Sequence, residues 1–462
     1  MSDNTIFYDH PVQGFNGDFI PFYHNGVFHL FMIINGSWEH LTTADFVNFE
    51  NHGVALPAGD ESEQDNSVCT GSVIEHGGVF HIFYAGYNGR FAGVKPIQVV
   101  LHATSADLYN WKKEDDVFLP PDEKFYHRDG WRDPLVYYDE KHKEFRMLIT
   151  GAERHDHFRR WGCAALAVSK DLKNWKVKKP LYAPFLYDSH ECPDIFKLGK
   201  KWYMIFSTYT RWWEVRYCVA DSPDGPWKSF KDELLDNRSY YAAKTVSDGK
   251  RRFLVGWIAR RTDCSDKNKY EWGGSLGVHE TEALPDGELI LKPVKEIKAV
   301  YKNAVPLTIK KEFGRLKCRA LKNGFTLDAE GFGAASLADP GTGDLYVSFD
   351  LELGDNAQAG LLFRADVNRF DKWAMIEVDR KKDRLFFDHV GKWFDDQFFD
   401  EERPLLPAKK YRVELISKGS VVVAYCNGKA LSARHYKPEA TQIGLFVRDG
   451  KAKFTNVVIK TI

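Results

Sequence analysis

Five times in the first 260 residues a short polar turn leads into an aromatic residue and then a run of aliphatic and aromatic positions: GVFHLFMI (26–33), GVFHIFYAG (78–86), KEFRMLITG (143–151), KKWYMIFST (200–208) and RRFLVGWIA (251–259). Apolar runs this short, bounded by Gly, Asn and Asp, predict strands. Their leading aromatics, Phe28, Phe80, Phe145, Trp202 and Phe253, recur at 52, 65, 57 and 51 residues, the mark of one structural unit with loops of varying length. A second element follows the first four copies as ADFVNF, ADLYNW, KDLKNW and PDGPW, where Asp45, Asp107, Asp171 and Asp224 each predict a turn closing onto a strand. No amphipathic helical pattern of four or more turns occurs between these landmarks.

Radially repeated units of four short antiparallel strands close into a propeller, which removes long exposed sheet edges. The expected fold is therefore all-β: a five-bladed β-propeller over residues 1–300, followed by a C-terminal β-sandwich over 305–462. Past residue 305 the repeat stops, and longer alternating strands appear, such as LYVSFDLEL (345–353) and IGLFVRDGKAKFTNVVIK (443–460). The tetrapeptides CNGK (426–429) and RDGK (448–451) are hairpin signals.

Composition removes several classes of function. Lys and Arg number 64 against 65 Asp and Glu, a formal charge of -1, so no net field favours nucleic acid. No stretch approaches the roughly 18–20 apolar residues of a membrane-spanning helix, and the N-terminus has no secretory leader pattern, which predicts a cytoplasmic protein without a membrane partner. Seven scattered cysteines lack any CxxC pair, so neither a disulfide framework nor a thiolate metal site is expected. Neither a phosphate-binding nor a dinucleotide-binding glycine motif is present, and no cofactor or metal is called for. The densest histidine group, His127, His155 and His157, fits loops around the channel mouth better than a metal centre. Aromatic residues reach 15% of the chain. Most are expected in the core, with Trp38, Trp131, Trp161, Trp212, Trp213 and Trp272 as candidate stacking platforms for sugar rings.

In a propeller the first strand of every blade lines the central channel. Upstream of the five aromatics stand NGDFIPFY (16–23), CTGSVIE (69–75), WRDPLVYY (131–138), HECPDIFKL (190–198) and YYAAKTV (240–246). Three of them bring acids to the same end: Asp18, Asp133 and Glu191. Two facing carboxyl groups are the minimal apparatus of glycoside hydrolysis, one as nucleophile and one as proton donor. Asp18 and Glu191 suit those roles. Asp133 is expected to hold sugar hydroxyls, with Arg132 beside it binding oxygen atoms.

WRDP (131–134) and HECPD (190–194) resemble the RDP and EC-P-D motifs of glycoside hydrolase family 32, the invertase, inulinase and levanase group. SWEHLTTADFVNFE (37–50), VCTGSV (68–73) and ALPDGELILKPVKEI (283–297) resemble further family segments in the family's order. The resemblance covers nearly the whole chain and implies a retaining β-fructosidase acting on sucrose- or fructooligosaccharide-like substrates. Asp18 then matches the nucleophile, Asp133 the transition-state stabiliser and Glu191 the acid/base. Sugar contacts are expected from Asn16, Trp38, Cys69, Thr70, Arg132 and Cys192. The first motif departs from the family's W-M-N-D-P-N-G: Gly17 precedes Asp18, and Phe19 replaces the proline. Ile33 stands where the family has glutamine, and Ala259-Arg260-Arg261 replaces its late N-N-W segment. Arg260 and Arg261 read as a solvated surface pair, with groups facing an anion as the alternative. Three alternatives stay open: a related five-bladed furanosidase or xylosidase, a catalytically silent sugar-binding protein, and a sandwich domain that binds sugar or supports a homo-oligomer.

Overall fold

A computed structural model describes residues 6–11, 16–155, 160–355, 357–366, 372–389, 401–436 and 440–462. Each of the five repeats folds as a four-stranded antiparallel sheet whose strands follow chain order. The first strands are Asn16–His24, Ser67–His76, Arg132–Asp139, Glu191–Leu198 and Tyr240–Ser247, in blades I to V. They contact one another in the cyclic order I–II–III–IV–V–I, so the ring is closed. The predicted repeat is the second strand of every blade, from Val27–Ile34 in blade I to Arg252–Arg261 in blade V. Its leading aromatics are core residues: Phe28, Phe80, Phe145 and Phe253 are buried. Phe28 meets Phe253 edge-on at 5.4 Å, joining the first blade to the last.

The second repeated element is a capped turn. Asp45 Oδ1 accepts the backbone N–H groups of Val47 and Asn48 at 2.9 Å each, while Oδ2 takes the Asn48 amide at 3.0 Å. Asp107 and Asp171 repeat this pattern with Asn110 and Asn174. The carboxylate thus satisfies a turn whose next residue is left-handed, with φ of 57° at Phe46, 71° at Leu108 and 64° at Leu172. Asp224 of the fourth copy departs. It reaches back to blade III, where Arg146 donates to it at 2.7 Å and Lys141 at 2.6 Å.

By backbone proximity the chain forms two compact units, Met1–Trp257 with Trp272–Leu289 and Ile258–Glu271 with Ile290–Ile462. A twelve-stranded sheet, curled over an apolar core that includes Leu345, Phe349, Leu361, Leu415 and Phe454, makes up most of the second. Of the two hairpin signals there, CNGK is one: Asn427 and Gly428, both at positive φ, join Val421–Cys426 to Lys429–Arg434. RDGK is not. It lies inside the 20-residue strand Gln442–Thr461, at the point where that strand exchanges one neighbour, Gln358–Ala365, for another, Leu345–Leu353. Asp449 at φ 48° and the wide φ of Gly450 accommodate a bulge rather than a reversal. Among the described residues no helix is long and apolar enough to cross a membrane.

Candidate active site

The inner strands of blades I to IV share one irregularity. Between Gly17↔Ile33 and Ile20↔Phe31 in blade I, the inner strand advances three residues while its partner advances two. The same step occurs from Val68 to Gly71, from Arg132 to Leu135 and from Glu191 to Asp194. Each is a β-bulge, a device that re-aims side chains at the rim of a sheet. Asp18, Asp133 and Cys192 at these bulges, and Ala242 on blade V, have φ of 46°, 56°, 48° and 50°. Left-handed backbone at a non-glycine residue costs roughly 1–2 kcal/mol. That strain is concentrated where the channel-facing side chains must diverge from the strand.

These bulges deliver the three acids to one place. Asp18, Asp133 and Glu191 all line a single cavity of about 620 Å³, together with Cys69, Thr70, Arg132 and Cys192. Asp18 accepts a hydrogen bond on each oxygen, from the Thr70 hydroxyl on Oδ2 and from the Trp257 indole N–H at 2.8 Å on Oδ1. Asp133 Oδ2 accepts from the Thr150 hydroxyl at 2.9 Å and from the Cys192 backbone N–H at 3.0 Å. Glu191 is gripped on both sides, by Arg132 on Oε1 and the Tyr241 hydroxyl on Oε2. Arg132 Nε also lies 3.7 Å from Asp133, so one guanidinium serves two acids.

Electrostatics separate these groups. Burial pushes the Asp18 carboxyl up to about 7, with the Asp133 and Glu191 charges adding to the rise and the Thr70 and Trp257 donors opposing it. Burial works against the Arg132 charge, but Glu191 and Asp133 outweigh it and hold the guanidinium above its ordinary value. Burial raises the Cys69 thiol to about 12 and drives the Cys192 thiol well above its usual range, so both stay protonated and neither is a nucleophile. The contribution of Cys192 is its backbone N–H.

Two expected sugar contacts lie elsewhere. Trp38 is fully buried and donates its indole N–H to the Cys69 carbonyl at 3.0 Å, which makes it a support behind the wall, not a stacking platform. Asn16 is buried at the start of its strand and does not line the cavity. Trp131 is likewise core, donating to the Leu119 carbonyl at 3.0 Å. Arg261 is no solvated surface residue: it is buried, pairs with Glu401 at 3.2 Å and lies over the Tyr270 ring at 4.0 Å. His127 and His155 pack against Trp161, and His157 lies outside the described residues.

Several site residues escaped the sequence reading. Trp257, Tyr241 and Thr150 each hold an acid, and Asn35 and Asn66 line the cavity, as does Ile33, which the sequence marked as standing in place of a family glutamine. Tyr241 was signalled only by its inner-strand position on the one blade of the last three without an acid there. Gly17, the departure before Asp18, has a packing reason. A Cβ there would stand 3.0 Å from Gly273 Cα, 3.2 Å from the Trp272 ring and 3.3 Å from the Trp257 ring.

A closed five-bladed ring with three carboxyls converging from three blades defines a glycoside hydrolase of the propeller type. Residues 10–293 match the Glycosyl hydrolases family 32 N-terminal domain, and the chain belongs to that family. It is 25% identical over 438 residues to a sucrose-6-phosphate hydrolase of Vibrio alginolyticus, covering 88% of this chain and 80% of that one. It is 24% identical over 314 residues to a raffinose invertase of Escherichia coli, covering 62% and 63%. Among solved structures, the exo-inulinase of Aspergillus awamori superposes with a TM-score of 0.75 at 18% identity, over 100% of this chain and 99% of that one. The sucrose-6-phosphate hydrolase of Lactobacillus gasseri gives 0.73 at 18% identity, over 99% and 93%.

Proposed function

We propose that the chain hydrolyses β-fructofuranosidic bonds of sucrose- or fructooligosaccharide-like substrates by double displacement. The observation that carries this reading is the convergence of Asp18, Asp133 and Glu191, from three blades, on one cavity. Asp18 is the nucleophile. With a donor on each oxygen it is oriented and partly neutralised, and its attack on the anomeric carbon forms a fructosyl ester. Glu191, positioned by Arg132 and Tyr241, gives its proton to the leaving oxygen as the glycosidic bond breaks. It then takes a proton from the water that attacks the ester, and Asp18 leaves as carboxylate. Asp133, anchored by Thr150 and the Cys192 N–H, accepts hydrogen bonds from sugar hydroxyls as positive charge develops on the ring. Trp272 and Ile33 give the cavity wall apolar surface, and Asn35, Asn66, Ser67 and Arg132 stand with the acids in its polar lining, available to sugar hydroxyls.

The test is to incubate the protein with sucrose, sucrose 6-phosphate, raffinose and short inulin- and levan-type oligosaccharides. The released sugars and the anomer first formed are then identified. Release of fructose with retained configuration is expected, and Asp18→Asn and Glu191→Gln should each cost at least about 10³-fold in turnover while leaving substrate binding measurable. Inverted product, or full activity in Asp18→Asn, would remove the assignment.

A further inference from the structure

We propose that Asp266, His389 and His435 form a binding site for one divalent first-row transition ion, zinc in the first instance, in the second compact unit. Three segments far apart in the chain meet here. Asp266 lies in the turn after strand Arg252–Arg261, His389 ends strand Arg384–His389, and His435 follows strand Lys429–Arg434. One donor atom from each residue lies within 4.8 Å of the other two. Metal–nitrogen and metal–oxygen bonds of about 2.0–2.2 Å set donors of a tetrahedral site roughly 3.5 Å apart, so only small side-chain rotations separate this arrangement from coordination.

Independent features of the same residues point to a ligand. His435 is 94% buried by its 6% exposure, and its Nδ1 has no hydrogen-bond partner. The His389 and His435 rings stack with their centroids 5.1 Å apart, which sets the two imidazoles side by side. The carboxylate is already oriented, since the Tyr436 backbone N–H donates to both Asp266 oxygens at 3.0 and 3.1 Å. Arg364 fixes the backbone by donating to the His435 carbonyl at 2.9 Å, and its positive charge is faced by the Asp266 carboxylate.

Two imidazoles and one carboxylate suit zinc, cobalt or nickel better than calcium or magnesium, which prefer oxygen alone. A second His and Asp cluster, Asp139, His142 and Asp224, shows what such a group looks like when its charges are spent. Its carboxylates are engaged by Arg146 at 3.0 and 2.7 Å and by Lys141 at 2.6 Å, cations with which an ion would have to compete. An ion at Asp266 would instead tie three strand ends together and bind the folded chain alone, which raises the thermal midpoint by mass action.

The experiment uses the full chain, stripped with EDTA and titrated with zinc chloride and, separately, cobalt chloride. Uptake of one equivalent, a thermal midpoint raised by about 3 °C or more at saturating zinc, and visible cobalt absorption are expected. His435→Gln and Asp266→Asn should each weaken zinc binding at least about 10-fold while turnover of a fructoside is unchanged. X-ray absorption of the zinc-loaded native chain needs no variant and should show imidazole ligands. Failure of the stripped chain to take up zinc, a zinc shell without imidazole, or affinity unaltered in both variants overturns the site.

Discussion

Asp18 is held between opposing demands. Burial and two neighbouring acids raise its carboxyl to about 7, and only the Thr70 and Trp257 donors restrain the rise. A nucleophile must be ionised, so kcat/KM should climb with pH through the neutral range. Trp257→Phe removes one donor from the anion, raises this carboxyl further and should move the ascending limb to higher pH. An unmoved limb would show that the indole only packs. Stability follows the opposite course. Because the folded value lies above the unfolded 3.8, the contribution of Asp18 is complete below about pH 4 and is lost as pH rises through about 7. Asp18→Asn should therefore be inactive yet more stable above pH 7, by up to about 4 kcal/mol, with the gap closing near pH 4. Thermal melts at pH 8 and pH 4 test this. Asp18 was legible in the sequence because its position repeats between blades and its residue type is chemical. Trp257 was not, because an indole within a hydrophobic hairpin reads as core until its N–H is seen to point at a carboxylate.

At the scale of the element, the bulge explains why the sequence pattern predicted the right strands but not the aim of their side chains. Period-two alternation is blind to one extra residue, and that residue decides whether Asp18 or Phe19 faces the channel. Gly17 is where the bulge meets two tryptophans. Gly17→Ala would press a methyl group against Gly273, Trp257 and Trp272 at 3.0–3.3 Å, all three of them at or beside the site. A cost of about 1–3 kcal/mol is expected, with a fall in turnover because Trp257 must shift away from Asp18. Denaturant titration together with kcat distinguishes this from a tolerant site, in which both would be unchanged. The two hairpin tetrapeptides teach the same lesson from the other side. CNGK and RDGK both call for positive φ, but a chain with positive φ either turns back or bulges. Only the available partner strands decide between these outcomes, and for Gln442–Thr461 they include strands from residues 324–365, far back in the chain.

For the whole molecule, five hairpins at irregular spacing were enough to read a ring, since four of the five leading aromatics are buried and those of the first and last blades meet edge-on. What spacing could not show is how neighbouring blades are clamped. Three of the repeated aspartates cap their own turns, whereas Asp224 crosses from blade IV to blade III and meets Arg146, itself buried against Asp139 at 3.0 Å. Burial alone would raise the Asp224 carboxyl, but Lys141 and Arg146 hold it below its ordinary value. A depressed folded value means that its stabilisation is present above about pH 4 and is lost as the pH falls through the carboxylate range. Asp224→Ala should then cost about 1–2 kcal/mol at pH 7. The figure is modest because the Asp224 side chain is 35% exposed and Arg146 keeps Asp139. The penalty should be smaller at about pH 3, where the fall in pH has begun to remove the charge-dependent part of the stabilisation. Denaturant midpoints of the two proteins at both pH values decide the matter, and an equal loss at each would show that the clamp acts through packing and not through charge.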